Sequence, residues 1–328
     1  MKRNYSIDLL RVMSAIAVIV IHVVTAPLNN VTGPVDPSVK SVLSALHALS
    51  FWAVPVFFMI TGYCAALKKE CTYKYCFSHV VKFIAVLFTV GLFYALLEEV
   101  FTAGTLSLPI LLRCLQKVVS GNLWDFMWYV YAIIGIYLVL PLLHSFLQKG
   151  PREVFTLAAL LFLFTILFPA LSRWFSVGID FPVGGYLFYV VMGGAIAKFP
   201  VKRIRLWNLA CAGVVMLYCI LVFTGYSFPL NWNPYLDPFV CIASVGLFFL
   251  VTNQAVRSGN ILRVLSGCTW GIYLLHPFFI NVVLKVLHLD LVSSMPYVKL
   301  PLLGIFIFLC SFAGTYILRQ IPLIKKLF

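Results

Sequence analysis

The chain has 328 residues, of which 62% are hydrophobic and only 10% charged, and it carries a formal net charge of +14. Soluble globular domains run nearer to about half apolar and about a quarter charged, so folding in water would leave far too much apolar surface exposed. The surplus of cations forms no basic stripe with interleaved aromatics, which argues against a nucleic-acid partner.

In chain order, apolar segments occupy about 7–27, 42–67, 79–102, 126–147, 153–170, 183–199, 206–225, 236–254, 266–287 and 299–318. Apolar runs of about 18 residues or more indicate helices rather than a barrel. The fold class expected is therefore all-α, a polytopic membrane protein of about ten transmembrane helices. The N-terminal segment has the outline of a signal peptide, but its apolar run is long and lacks a small-x-small cleavage site, so it reads as a retained helix. With the N-terminus in the cytoplasm, eighteen Lys and Arg, Lys2 and Lys202 among them, fall inside and six outside. That split follows the positive-inside rule, and the even count returns the C-terminus to the cytoplasm.

The spans take up nearly the whole chain, so residues 1–328 read as one transmembrane domain with no fused soluble domain. The segment 103–125 contains LPILLRCL, which suits a helix lying along the outer interface. GGYLFYVVMGG, residues 184–194, lies inside an apolar segment and reads as close helix packing. The absence of a convincing internal repeat weighs against an inverted-repeat transporter.

The first segment carries the most informative polar residues. In RVMSAIAVIVIH, Arg11 and His22 are eleven residues apart. A helix turns about 100° per residue, so they share one face, roughly 16 Å apart along the axis. Asp8 lies one turn before Arg11 and is placed to pair with it. Charged groups in a membrane helix usually face a cavity or a partner. Arg11 alone has a plain explanation in snorkelling to the inner headgroups, and His22 alone in a neighbouring helix that satisfies it. Together they suit a substrate that enters from the cytosol with an anionic head and a reactive tail, as acetyl-CoA does. Arginine grips phosphate through a fork of N–H groups, and histidine accepts a proton from a hydroxyl.

Other candidates have two readings each. His276 precedes Pro277, so its ring either satisfies the carbonyl that the proline frees or lines a cavity opposite His22. Glu98 and Glu99 read as a solvated helix end, or as contacts to an acceptor or to His22. Asp125, Trp128 and Tyr129 open the fourth segment, as interfacial belt residues or as a sugar platform. NWNPYLD, residues 231–237, is similarly ambiguous, and Asp180 and Asp237 read as solvated. His47, His79, His144 and His288 read as ordinary residues near helix ends. The nine cysteines read as buried small hydrophobes, with Cys71 and Cys76 too far apart in sequence and too isolated for a zinc site. No HExxH, Walker loop or GxSxG motif is present, and no metal is expected.

IDLLRVMSAIAVIVIHVV resembles the first helix of the integral-membrane acyltransferase family 3, with Arg11 and His22 at the spacing of that family's signature. VPVFFMITGYCAALKK, MWYVYAIIGIYLVLPLL and CTWGIYLLHPFFI resemble later family segments in the same order, so the resemblance covers essentially the whole chain. It implies transfer of an acyl group, usually acetyl, from cytosolic acyl-CoA to a hydroxyl of an extracytoplasmic glycan, lipid-linked sugar or cell-envelope component. It implies His22 as the catalytic residue and Arg11 as its partner, no metal, and a multi-pass place in a bacterial-type cytoplasmic membrane among its lipids.

One departure is that the loop after the second segment offers Lys68, Lys69, Lys74 and Lys82 where relatives often carry arginines. These lysines are candidates for CoA phosphates as point charges rather than forks. Some relatives have a fused soluble domain that completes transfer; its expected absence here raises the question of a separate extracytoplasmic partner. The competing readings are a transporter or lipid-linked sugar flippase using the same cavity, and a membrane sensor in which Arg11 and His22 are structural.

Overall fold

The computed structural model describes residues 3–30, 35–105, 107–174, 184–201, 203–225, 233–257, 259–322 and 324–328. Lys2, Asp180, Lys202, Asn231 and Trp232 lie outside them. Among the described residues there is no strand, and the α-helices in chain order are α1 (Tyr5–Asn30), α2 (Pro37–Leu49), α3 (Ala53–Ala66), α4 (Tyr73–Val86), α5 (Leu92–Ala103), α6 (Leu108–Ser120), α7 (Trp128–Leu147), α8 (Pro151–Phe162), α9 (Phe168–Trp174), α10 (Tyr186–Lys198), α11 (Ile204–Phe223), α12 (Pro238–Thr252), α13 (Asn260–Asn281) and α14 (Pro296–Leu318). They form two compact units, one of residues 1–67, 150–318 and 328, the other of 68–149 and 319–327.

Among the described residues, eight stretches are long and apolar enough to cross a membrane. The sixth and eighth apolar segments are shorter than their sequences suggest. Helix α10 has 13 residues and α12 has 15, a rise of about 20 and 22 Å against a hydrocarbon core of roughly 30 Å. The second segment is not one helix. It breaks into α2 and α3 at residues 50–52 because Pro55 has no N–H for the carbonyl one turn back, and its ring crowds that carbonyl. Proline is tolerated in the first turn of α3, where amides lack helical partners anyway.

In the first unit the contacts fix helix directions. Asp8 meets Ser266 and His22 meets His276, so α1 and α13 run parallel. Asn4 bonds Tyr63, while Ile21 shares a core with Phe51, so α3 runs against α1. Ser6 bonds the Gln254 carbonyl and Ile21 packs with Val240, so α12 does the same. Phe58 stacks on Tyr186 and Gly62 abuts Val190, which sets α10 parallel to α3. Phe155 with Phe199 and Phe162 with Phe188 set α8 against α10. Within this unit α1, α8 and α13 thus run one way and α3, α10 and α12 the other, the alternation that successive crossings require.

The glycine-rich stretch of α10 packs closely, as its sequence indicates. A Cβ on Gly62 would lie 1.8 Å from the Val190 carbonyl oxygen, and one on Gly193 2.0 Å from that of Met59. The α3 and α10 backbones touch there because neither residue has a side chain.

The second unit holds the third and fourth segments. In α4, His79 stacks on Tyr137 of α7 at 5.0 Å, so it is a helix-packing residue rather than an end residue. His144, also read as an ordinary helix-end residue, is buried on α7. Helix α6 buries Ile110, Cys114 and Val118 and exposes Leu108, Leu112 and Val119. It is a separate amphipathic helix, with Gly104 and Gly121 in left-handed conformations at the C-terminal ends of α5 and α6.

Candidate active site

The N-terminal half of α1 carries a buried carboxylate. Asp8 is 2% exposed, a costly place for a charge unless it is paired. Arg3 Nε donates to its Oδ2 at 2.5 Å, Arg11 Nη1 to its Oδ1 at 3.4 Å, and the Ser266 hydroxyl to Oδ1 at 2.7 Å. The expected Asp8–Arg11 pair is present, and Arg3 and Ser266 join it. The Arg11 side chain is still 36% exposed and that of Arg3 40%, so two guanidinium groups, oriented by one carboxylate, keep N–H groups open to an anion.

Eleven residues further along the same helix face stands His22. Its ring lies 5.0 Å from that of His276, tilted by 41°. His276 is fully buried on α13. Pro277 has no N–H to give the carbonyl of Tyr273, one turn back, and His276 Nδ1 donates to that carbonyl at 2.7 Å. His276 thus satisfies the proline kink, and its ring also lies against that of His22. A carbonyl only accepts, so Nδ1 carries the proton and Nε2 is the basic nitrogen of the neutral ring. Ser266, Thr269, Tyr273 and His276 form one buried stripe of α13, at the spacing that lays one helix face along α1.

His47 belongs here as well. It lies on α2, edge-on to Phe51 at 4.4 Å, and its neighbours Leu43 and Phe51 share cores with Ile19, Ile21 and Val23 of α1. The sequence contained the signal, a Leu43–His47–Phe51 stripe at four-residue spacing, but nothing in it said which helix that stripe faces. No group of three His, Cys, Asp or Glu among the described residues is arranged to hold a metal ion.

The remaining candidates lie in the second unit. Lys68 stands 3.2 Å over the ring of Tyr75, and Lys69 is exposed. Lys82, half-buried on α4, is near enough to Arg319 to feel its charge. Glu98 and Glu99 are not a merely solvated helix end. Lys117 Nζ lies 2.9 Å from Glu99 and 3.7 Å from Glu98, Arg113 is 3.6 Å from Glu99, and Trp124 Nε1 donates to Glu98. Trp128 is half-buried, and Tyr129 is buried. Cys71 and Cys76 are buried as expected, but their Sγ atoms approach to 3.4 Å, because the turn into α4 folds one back over the other. In the first unit, Asp237 is also not solvated: it is 2% exposed and caps α12 by accepting from the amides of Phe239 and Val240.

The family described as an acyltransferase domain matches residues 4–320. The chain belongs to the membrane acyltransferase family 3. It is thus a multi-pass membrane acyltransferase, and the match takes in residues of both units. No curated protein and no solved structure matches it. For an acyltransferase, a histidine paired with a second, tautomer-fixed histidine and aligned with an anchored arginine is the arrangement of interest.

Proposed function

We propose that the protein moves an acyl group, by default acetyl, from acyl-CoA to a hydroxyl of an extracytoplasmic or lipid-linked glycan of the cell envelope, with the N-terminal end of α1 facing the cytosol. The observation that carries this reading is the placing of the Arg11–Asp8 pair and the His22–His276 pair on the same two helices, α1 and α13. Arg11 and Arg3 meet the phosphates of the donor. The thioester reaches along α1 to His22.

In this mechanism His22 is the general base. It takes the proton of the acceptor hydroxyl as that oxygen bonds to the acyl carbonyl carbon. The C–S bond then breaks, and the departing thiolate recovers the proton from His22. General-base assistance of this kind is worth about 10²–10⁴ in rate. The His276 ring, held by its Nδ1 bond to the Tyr273 carbonyl, lies against His22 and limits how the His22 ring can turn. A relay through an acyl-histidine uses the same geometry.

Vesicles containing the full chain, supplied with acetyl-labelled acetyl-CoA, test this. Label in a glycan or glycolipid fraction with matching CoA release supports transfer. Substrate movement across the membrane without CoA release points to a transporter or flippase. A chain that neither binds nor turns over acyl-CoA has another donor or none.

A further inference from the structure

Two helices pack on the stretch of α1 that carries His22, and the mechanism above uses only one of them. His276 of α13 lies against the ring, and α2 packs on the same stretch of α1. Leu43 packs in one core with Ile19 and Val23, and Phe51 in another with Ile21. His47, one turn from each on the same face, is thereby directed at the stretch of α1 that carries His22. Its ring is half-buried and makes no hydrogen bond among the described residues, so its polar atoms remain open to a ligand. Beyond it the ring of Phe51 stands edge-on at 4.4 Å, and Tyr235 edge-on to Phe51 at 5.5 Å. Tyr235 immediately precedes α12, which runs against α1, so this tier sits at the end of the unit away from the Arg3–Arg11–Asp8 group.

We propose that His47, Phe51 and Tyr235 form the acceptor side of the site, with His47 as the residue that positions the acceptor hydroxyl at His22. This rests on the acyl-transfer reading above and assigns a residue and a ligand class to its second substrate. The chemistry on offer is a hydrogen-bonding imidazole beside aromatic rings. It suits a polyhydroxylated acceptor whose saccharide ring has one apolar face, since aromatic rings bury C–H surface while the imidazole takes a hydroxyl. The donor, held from the opposite end, needs none of these groups.

The full chain in nanodiscs, with acetyl-CoA as donor and n-octyl β-D-glucoside as acceptor probe, tests the assignment, with n-octanol as a hydroxyl that lacks the sugar ring. His47→Ala is expected to raise the KM for the glucoside about tenfold while the KM for acetyl-CoA moves by less than about twofold, in line with one lost hydrogen bond. His47→Gln, which keeps a hydrogen-bonding group, is expected to recover part of the loss, and Phe51→Leu to narrow the preference for glucoside over octanol. Melting curves confirm that each variant is folded; should His47→Ala not fold, His47→Gln and Phe51→Leu carry the comparison. Equal use of glucoside and octanol by the wild type, or KM values for donor and acceptor that rise together in the variants, would overturn the proposal. A wild type that releases no CoA with any acceptor would instead overturn the acyl-transfer reading on which it rests.

Discussion

The rings of His22 and His276 face each other at 5.0 Å across α1 and α13, and what fixes the second ring is a proline. Pro277 takes an amide out of the helix ladder, the orphaned Tyr273 carbonyl captures His276 Nδ1, and one edge of the imidazole is left as the basic edge.

That chain of causes is open to test at Pro277 itself. In Pro277→Ala an amide N–H returns and competes for the Tyr273 carbonyl. The helix should gain stability, since proline within a helix costs about 3 kcal/mol, but His276 loses its fixed tautomer. The expected outcome is an unchanged or raised melting temperature with kcat lowered about tenfold, the cost of weakening one positioned proton acceptor.

At the other end of α1, Asp8 orients two arginines and accepts from Ser266. Asp8→Asn should raise the donor KM about tenfold or more, the scale of a lost hydrogen bond to a charged group, with a smaller effect on kcat. Ser266→Ala removes one hydroxyl and should cost about 1 kcal/mol of stability. Arg11→Lys should not restore donor affinity, because an ammonium cannot reproduce the fork. Donor-dependent kinetics and thermal melts of the purified variants check all three.

Two glycine substitutions should differ sharply. Gly193→Ala puts a Cβ 2.0 Å from the Met59 carbonyl oxygen, so α3 and α10 must separate. Overpacking costs about 1–3 kcal/mol in a well-packed core, and backbone against backbone leaves nothing flexible to yield. Gly304, on α14, has nothing within 4 Å of the added atom. Gly304→Ala should be neutral or stabilising by up to about 1 kcal/mol. Melting of the two variants side by side checks the α3–α10 contact.

What the sequence made legible is what depends on one helix at a time. The Asp8–Arg11–His22 stripe follows from 100° per residue alone, the apolar segments follow from composition, and the glycines of α10 announce a close approach. What stayed hidden is which helices are neighbours. Ser266 lies 258 residues from the carboxylate it bonds, and no periodicity connects them. The same limit hid the His47 stripe, and it hid Arg113 and Lys117 of the next helix as the partners of Glu98 and Glu99. The break between α2 and α3 was readable in principle from Pro55, but the apolar run on both sides of it masked the interruption.

The central claim is that His22 performs the chemistry, and release of free CoA thiol from acetyl-CoA tests it most directly, with wild type and His22→Ala measured side by side in nanodiscs at matched melting temperature. The account predicts steady thiol release by the wild type and a rate lower by about 10² or more in the variant, with donor binding retained through Arg11. Equal release by a folded His22→Ala protein would contradict it.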